Sequence, residues 1–488
     1  SGSALDASVL LPGSAAPDEL VPGGAHRRTD ARTREYLASS EFCGSCHDVR
    51  LFGTDTLGVT KGEHFKRLRN AYSEWLDFGE QRRRLGRPTP SCQSCHLSGF
   101  PGVCLADDVA TGKASAPSPG ASAGPCPPGT HVSQRAPGDL PLGRIATSSE
   151  RDRAHHPHYF TGVDVPLSEG FDRALADERG LDPAGIPLGA RARRDLLLAS
   201  ALRLELGAVE RRGGILEIPV TVENIGAGHR VPAGFSQERE IWIHLRVTDQ
   251  RGRTLYEVGR IERNDEDLHD KVFLSITTDD DRRDGNGRPL GLFGADVADG
   301  PDAPRWEPPP ELGGHRFRGR GLVNFQNGFL RCVRCIGRID AQGRCEPLPG
   351  QERARADRFV DGVYDPDTGS CTSNLSGRSA LFETYFPVGA LDASRGVLKA
   401  PDAIIDTRSL APESPVTYVY ELSAPSGAVS VEARLLFRAF PPYLVRAFAD
   451  YERERTRRGA RPGGPLVTER ALERIDVVEL ARVERRGG

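Results

Sequence analysis

Methionine is absent from all 488 residues, so no thioether side chain is available to fill a core gap or to bind a metal. Aromatic residues make up only 7% of the chain, and three of them are tryptophan. No apolar run approaches the roughly 20 residues that a bilayer-spanning helix requires, which excludes such a helix from this stretch. Charge of one sign is missing too: 65 Lys and Arg face 68 Asp and Glu, for a net charge of -3. That balance lacks the basic footprint of a nucleic-acid binder. No phosphate-cradling glycine loop, Ser/His/Asp constellation or fixed-period repeat runs through the chain. The opening residues SGSALDASVLLPG contain no basic-then-apolar leader, and they read as a mature chain from which an export signal has been removed.

What is present, and unevenly placed, is cysteine. Ten occur, and four of them fall in two copies of one pattern, CGSCH at Cys43–His47 and CQSCH at Cys92–His96. Positions i, i+3 and i+4 share one face of a helical turn, so each copy presents two thiols and an imidazole together. That trio is what covalent haem needs: two thiols add to the porphyrin vinyl groups, and the adjacent imidazole coordinates the iron. Cys43, Cys46 and His47, with Cys92, Cys95 and His96, are therefore the candidate attachment residues for two haem c groups. The competing explanations are a pair of buried disulfides or a zinc site, and zinc asks for a second Cys or His pair in fixed register.

Each iron has a sixth position. Without methionine it falls to histidine, to a rarer donor such as Lys or Tyr, or it stays open. His229 lies in NIGAGHRVPAG, where glycines permit close backbone approach and Pro232 stiffens the exit. His156 and His158 lie in HHPHYFTGVD, a polar turn downstream of both motifs. His158 and His229 are the preferred distal ligands, with His156 and His64 (in KGEHFKRLRNAYSEW) as further choices. The bland alternative for each is a surface or turn histidine. His244 sits on an alternating strand whose opposite face carries Ile241, Ile243 and Leu245, and is expected on the sheet surface. Histidine on both sides of each iron favours low potentials and keeps substrate off the metal.

Taken in order, CGSCHDV, AYSEW, CQSCH, HYFTGVDVPL and VENIGAGHRVPAGFSQERE resemble a multihaem cytochrome c of the kind common in environmental bacteria. Members join a haem-binding region to a β-domain carrying an N-x-G-x-G-H-x-x-P-x-G element. The resemblance covers about residues 41–260. It implies electron transfer, and it implies His229 and His158 as distal ligands. Only two attachment motifs are present where many relatives have four or more, so a long chain of haems within one molecule is not implied.

Haem c is attached on the exported side of a membrane, where disulfides are permitted. Cys104 and Cys126 bracket a Gly/Ser/Pro loop and are expected to close it. Cys332, Cys335, Cys345 and Cys371 are expected to form two bridges, with three connectivities open, or else to bind zinc. RCVRCIGR is not a third haem motif, because Ile336 stands where histidine is required. Asp279, Asp280, Asp281, Asp284 and Asn286 gather oxygen donors that suit calcium, but their spacing fits no EF-hand and a solvated acidic turn explains them as well. Asp365 and Asp367 form a weaker cluster. Glu238 and Arg239 are expected to pair and support the turn after His229.

The pattern predicts an α+β chain: a loop-rich helical dihaem c-type cytochrome region followed by an antiparallel β-sandwich with a long insertion. Residues 1–40 read as an extended arm and 41–207 as the dihaem region. Residues 208–264 and 376–488 read as the sandwich with its C-terminal helix, and 265–375 as a disulfide-containing insertion. Glu41 to about Gly86 looks helical, with Leu68, Tyr72, Trp75 and Leu76 on one face, and ARARRDLLLASALRLEL looks helical to Gly207. The functional expectation is an exported protein, periplasmic or extracellular, passing single electrons through bis-His low-spin haems. Redox partner proteins, or copies of the chain in a homo-oligomer or filament, would exchange them. Two other classes compete: a peroxidase-like dihaem oxidoreductase, which needs one open iron position, and a surface structural or adhesive protein. No catalytic residue is assigned.

Overall fold

The computed structural model describes residues 31–52, 55–57, 65–97, 160–168, 189–271, 315–335, 401–405, 408–423 and 427–487, with short strand pieces elsewhere. The helices are Ala31–Ala38 (α1), Ser40–Gly44 (α2), Ala71–Arg84 (α3), Cys92–His96 (α4), Ala190–Ala201 (α5) and Pro442–Arg457 (α6). The strands that bear on the site are Leu202–Leu206 (β1), Ile215–Asn224 (β2), Glu240–Asp249 (β3), Thr254–Val258 (β4), His315–Gly319 (β5), Gly328–Cys335 (β6), Leu381–Thr384 (β7), Ala403–Ile405 (β8), Val416–Ser423 (β9), Val429–Arg438 (β10) and Val477–Gly487 (β11).

Strands form where apolar residues alternate, because successive side chains point to opposite faces. In β2 the sequence ILEIPVTVEN buries Leu216, Ile218, Val220 and Val222 on one side. One sheet runs β5–β9–β2–β1; β5 lies parallel to β9 and the other two pairs are antiparallel. A second sheet runs β4–β3–β10–β11, antiparallel throughout. Their buried faces meet in one core, where Leu204, Ile218, Val220 and Tyr420 of the first sheet join Ile243, Leu245, Val431 and Leu435 of the second. Burying each such side chain contributes roughly 1.5–3 kcal/mol. The fold is thus α+β with antiparallel and mixed sheets.

Three local expectations are corrected. The helix of 190–201 stops at Ala201, and LRLEL continues as β1. Its leucines recur every second residue, so Leu202, Leu204 and Leu206 all face the core; a helical period would have exposed part of that set. Between the two motifs, Val49–Phe52 pairs antiparallel with Phe65–Arg69 instead of extending a helix. Ala31–Ala38 is helical within the segment read as an arm.

The stretch read as an insertion is woven into both sheets. β5 borders β9, and the 323–325 segment runs along β3: Ile243 N–H donates to Val323 O at 3.0 Å and Phe325 N–H to Ile241 O at 2.8 Å. The reason is apolar: Phe317, Val323 and Phe325 are buried in the shared core. A third sheet runs β7–β6–β8 and receives Asp55–Leu57 in parallel beside β8. At its margin Arg408 grips Glu383 with two hydrogen bonds of 2.5 and 2.9 Å, each side chain only 1% exposed.

Cys332 is disulfide-bonded, to a partner whose side chain lies outside the described residues. The pairings drawn for Cys104, Cys126, Cys335, Cys345 and Cys371 also lie outside them, as do the acidic loop at 279–286 and Asp367. Among the described residues no helix is long and apolar enough to cross a membrane.

Candidate functional site

Both Cys/His motifs sit on short helices that abut. α2 ends inside the first motif, and α4 is the second. Ser91 starts α4 with a capping box: its Oγ accepts Ser94 N–H and the Ser94 Oγ accepts Ser91 N–H, both at 3.2 Å. The next free amide, Cys92 N–H, donates to Ser40 Oγ at 3.1 Å, and Gln93 Nε2 donates to Ser39 O at 2.7 Å. These bonds bring Cys92 beside Cys43.

The two variable positions in each motif serve packing. A Cβ on Gly44 would lie 2.6 Å from Tyr72 Cγ, so the Tyr72 ring requires glycine there. Gln93, at the same place in the second motif, supplies the clamp onto α2 instead. Tyr72 N–H donates to His47 O at 3.2 Å and Ser73 Oγ to Asp48 Oδ1 at 2.7 Å, which docks the first motif on the opening turn of α3. Trp75 stacks on Tyr72 with centroids 5.8 Å apart and donates its Nε1–H to Pro90 O at 2.8 Å, beside the second motif. Leu76, expected on this face, is exposed; Phe78 is buried in its stead, and with Trp75 it seats Gly228.

The thiols of Cys43, Cys46, Cys92 and Cys95 are all outside disulfides. Burial, with Cys92 nearby, pushes Cys43 up to about 11, and burial and Cys92 do the same to Cys95. Both are protonated at neutral pH, the opposite of an activated redox or catalytic thiolate.

His229 is brought to this place by its loop. Asn224 ends β2 fully buried; its Nδ2 donates to His229 O at 2.8 Å and to Leu410 O at 3.2 Å, and its Oδ1 accepts Ala227 N–H at 3.0 Å. Gly226 lies so close to α5 that a Cβ would stand 2.0 Å from Ser200 O. Val231 and Leu410 exchange backbone bonds of 3.0 and 2.7 Å, and the Val231–Pro232 peptide is cis. Each polar or small residue of N-x-G-x-G-H-x-x-P thus closes one contact of the turn.

The result is a pair of imidazoles. The His96 and His229 rings lie 6.1 Å apart, centroid to centroid, with planes 17° from parallel. His96 Nδ1 meets Thr161 O at 2.8 Å and His229 Nδ1 meets Arg230 O at 2.8 Å. A carbonyl can only accept, so both Nδ1 atoms carry a proton, and in the neutral ring the lone pair then lies on Nε2. Burial, and then the neighbouring His96, hold His229 down to about 4, against the opposing pull of Arg230 O. At neutral pH it is the uncharged, ligating form. Two imidazoles bound through Nε2 to one metal, at a bond length of about 2.0 Å, have centroids about 6.3 Å apart. The separation of the two rings therefore suits a metal shared by His96 and His229. Thr161 N–H also donates to His96 O at 2.8 Å, and Asp164 in the same segment takes Arg239 Nη2 at 2.5 Å.

The remaining expectations divide. His47, the last residue of the first motif, is exposed and close enough for its charge to act on His229. His64, His156 and His158 lie outside the described residues. His244 is not on the surface: it is 7% exposed, with Nε2 2.9 Å from Glu257 Oε1 on the neighbouring strand. Arg239 reaches Asp164 across the site, while Glu240 forms a fully buried pair with Arg438 at 2.5 Å. Sequence reasoning passed over Thr161 and Glu74, whose Oε2 accepts Arg230 N–H at 2.9 Å. Thr161 acts through its backbone atoms, which carry no residue-specific signal, and the Glu74 carboxylate takes a backbone N–H that nothing in the sequence places beside it. Among the described residues no three His, Cys, Asp or Glu side chains converge as a metal-binding group.

No protein-family model and no curated protein matches the chain. Among solved structures it is similar to that of a penta-heme cytochrome c552 from Thermochromatium tepidum, at 14% identity and a TM-score of 0.34, over 93% of this chain and 57% of that one. The chain thus spans a little over half the length of that protein. So remote a likeness carries no argument, and the geometry of the site stands by itself.

Proposed function

We propose that this chain is an exported dihaem c-type cytochrome that passes single electrons. Cys43 with Cys46, and Cys92 with Cys95, hold two haem c groups by thioether bonds, and His47 and His96 are the proximal ligands. His229 is the distal ligand opposite His96. His158, with His156 and His64 as alternatives, is the proposed donor opposite His47. The observation that carries the reading is the imidazole pair, 6.1 Å apart, with both Nδ1 atoms engaged by carbonyls.

When bound, the haem supplies a one-electron iron couple. The chain's own residues do the rest. The carbonyls of Thr161 and Arg230 fix the tautomer and orientation of each ring and raise its basicity. Held by both His96 and His229, that iron would have no position left for substrate. Trp75 and Phe78 pack against the distal loop and keep water from its back. The Cys332 disulfide supports an oxidising compartment, periplasmic or extracellular. Redox partner proteins, or further copies of this chain in an oligomer or filament, are the proposed electron donors and acceptors.

The test is intact mass followed by ligand challenge. The purified chain is expected to carry the mass of two covalent haems, and His229→Ala to admit cyanide at one of them. A bare-polypeptide mass, or cyanide binding unaltered by His229→Ala, refutes the reading.

A further inference from the structure

We propose that Glu74 is the positioning residue that holds the distal imidazole, and that the opening turn of α3 is a strut linking the two haem sites. The proposal rests on the dihaem reading above. Residue 230 is gripped at both ends: its N–H donates to Glu74 Oε2 at 2.9 Å, and its carbonyl accepts from His229 Nδ1 at 2.8 Å. Breaking the first bond loosens one side of residue 230, whose carbonyl supplies the second. From the β2 side, Asn224 holds His229 O; from the α3 side, Glu74 holds Arg230 N–H. The same helical turn also binds the first motif, through Tyr72 N–H to His47 O at 3.2 Å and Ser73 Oγ to Asp48 Oδ1 at 2.7 Å. One turn of helix therefore carries the carbonyl of one proximal histidine and the loop of the other iron's distal histidine. A carboxylate suits that turn, since the amide dipoles at a helix N-terminus favour negative charge. Glu74 touches neither haem nor iron, and it acts through the Arg230 backbone.

The experiment uses the whole haem-loaded chain with Glu74→Ala, Glu74→Gln and Glu74→Asp, and cyanide as the probe, read by absorption and electron paramagnetic resonance. Glu74→Ala is expected to raise cyanide affinity about ten- to a hundredfold at one haem, the range typical of lost outer-sphere support. That haem must be the one opened by His229→Ala, and the haem of His47 must stay unchanged as an internal control. Glu74→Gln keeps an oxygen acceptor for Arg230 N–H and is expected to restore wild-type behaviour. Glu74→Asp, too short to reach, is expected to behave like Glu74→Ala and serves if the alanine variant does not fold. The proposal is overturned if cyanide affinity is unchanged, if it rises equally at both haems, or if glutamine fails to rescue. Failure of the dihaem reading looks different: the mass lacks two haems, or His229→Ala opens no site.

Discussion

Asn224→Ala tests how the distal loop is built. Asn224 is fully buried, and its side chain makes three bonds, to His229 O at 2.8 Å, Leu410 O at 3.2 Å and Ala227 N–H at 3.0 Å. Alanine leaves those groups behind in a site closed to water. Each lost bond costs about 1 kcal/mol net when the partner stays buried. Leu410 O keeps its bond from Val231 N–H at 3.0 Å, so its share is smaller. The sum is about 2–3 kcal/mol, which urea denaturation of purified wild-type and variant chains resolves. Asn224→Asp makes the test sharper. Its carboxylate accepts Ala227 N–H but turns an acceptor toward two carbonyl oxygens, so it is expected to destabilise more than alanine does. Cyanide challenge of either variant is expected to open the same haem as His229→Ala. A loss below about 0.5 kcal/mol for Asn224→Ala, or an aspartate variant as stable as wild type, would falsify the account of the loop.

Three further outcomes follow from the packing. Glu383→Gln strips the charge partner from Arg408, both 1% exposed, and is expected to cost about 3–5 kcal/mol, measured by denaturant titration; replacing both residues with apolar ones of like volume is expected to cost less. Gly44→Ala drives a methyl to 2.6 Å from Tyr72 Cγ, so the ring must move; a loss of about 1–3 kcal/mol and a disturbed first haem spectrum are expected, while Gln93→Ala, which only unclamps α2, is milder. Lys271 is held below its ordinary 10.5 by burial, which the nearby Glu383 and Glu240 oppose. Its folded form favours the neutral amine, the unfolded chain binds the extra proton, and stability rises with pH over the window ending near 10.5. Lys271→Met should flatten that slope in melts across alkaline pH; an unchanged slope rules the assignment out.

The chemistry of the proposed haem attachment is local, so the spacing it would need is legible in the amino acids alone. Two thiols and an imidazole must share one helical turn, which fixes their spacing, and both copies can be read directly at Cys43–His47 and Cys92–His96. The strands of the two sheets were legible too where apolar residues alternate, as in β2 and β10. LRLEL was misread because a helix runs straight into it, and the apolar leucines fit either period until the sheet shows which face is covered.

His229 was legible as a candidate from its glycines, but nothing local could pair it with His96. That pairing exists only because β2, the staple to Leu410 and the clamp from α3 bring distant segments together. Thr161 positions its ring through backbone atoms that every residue possesses, while the side chains of Glu74 and Asn224 take backbone amides and carbonyls that no local pattern identifies. The insertion told the same lesson at larger scale: whether Phe317, Val323 and Phe325 face a core of their own or that of the two sheets depends on contacts between remote segments, and only the folded chain decides it.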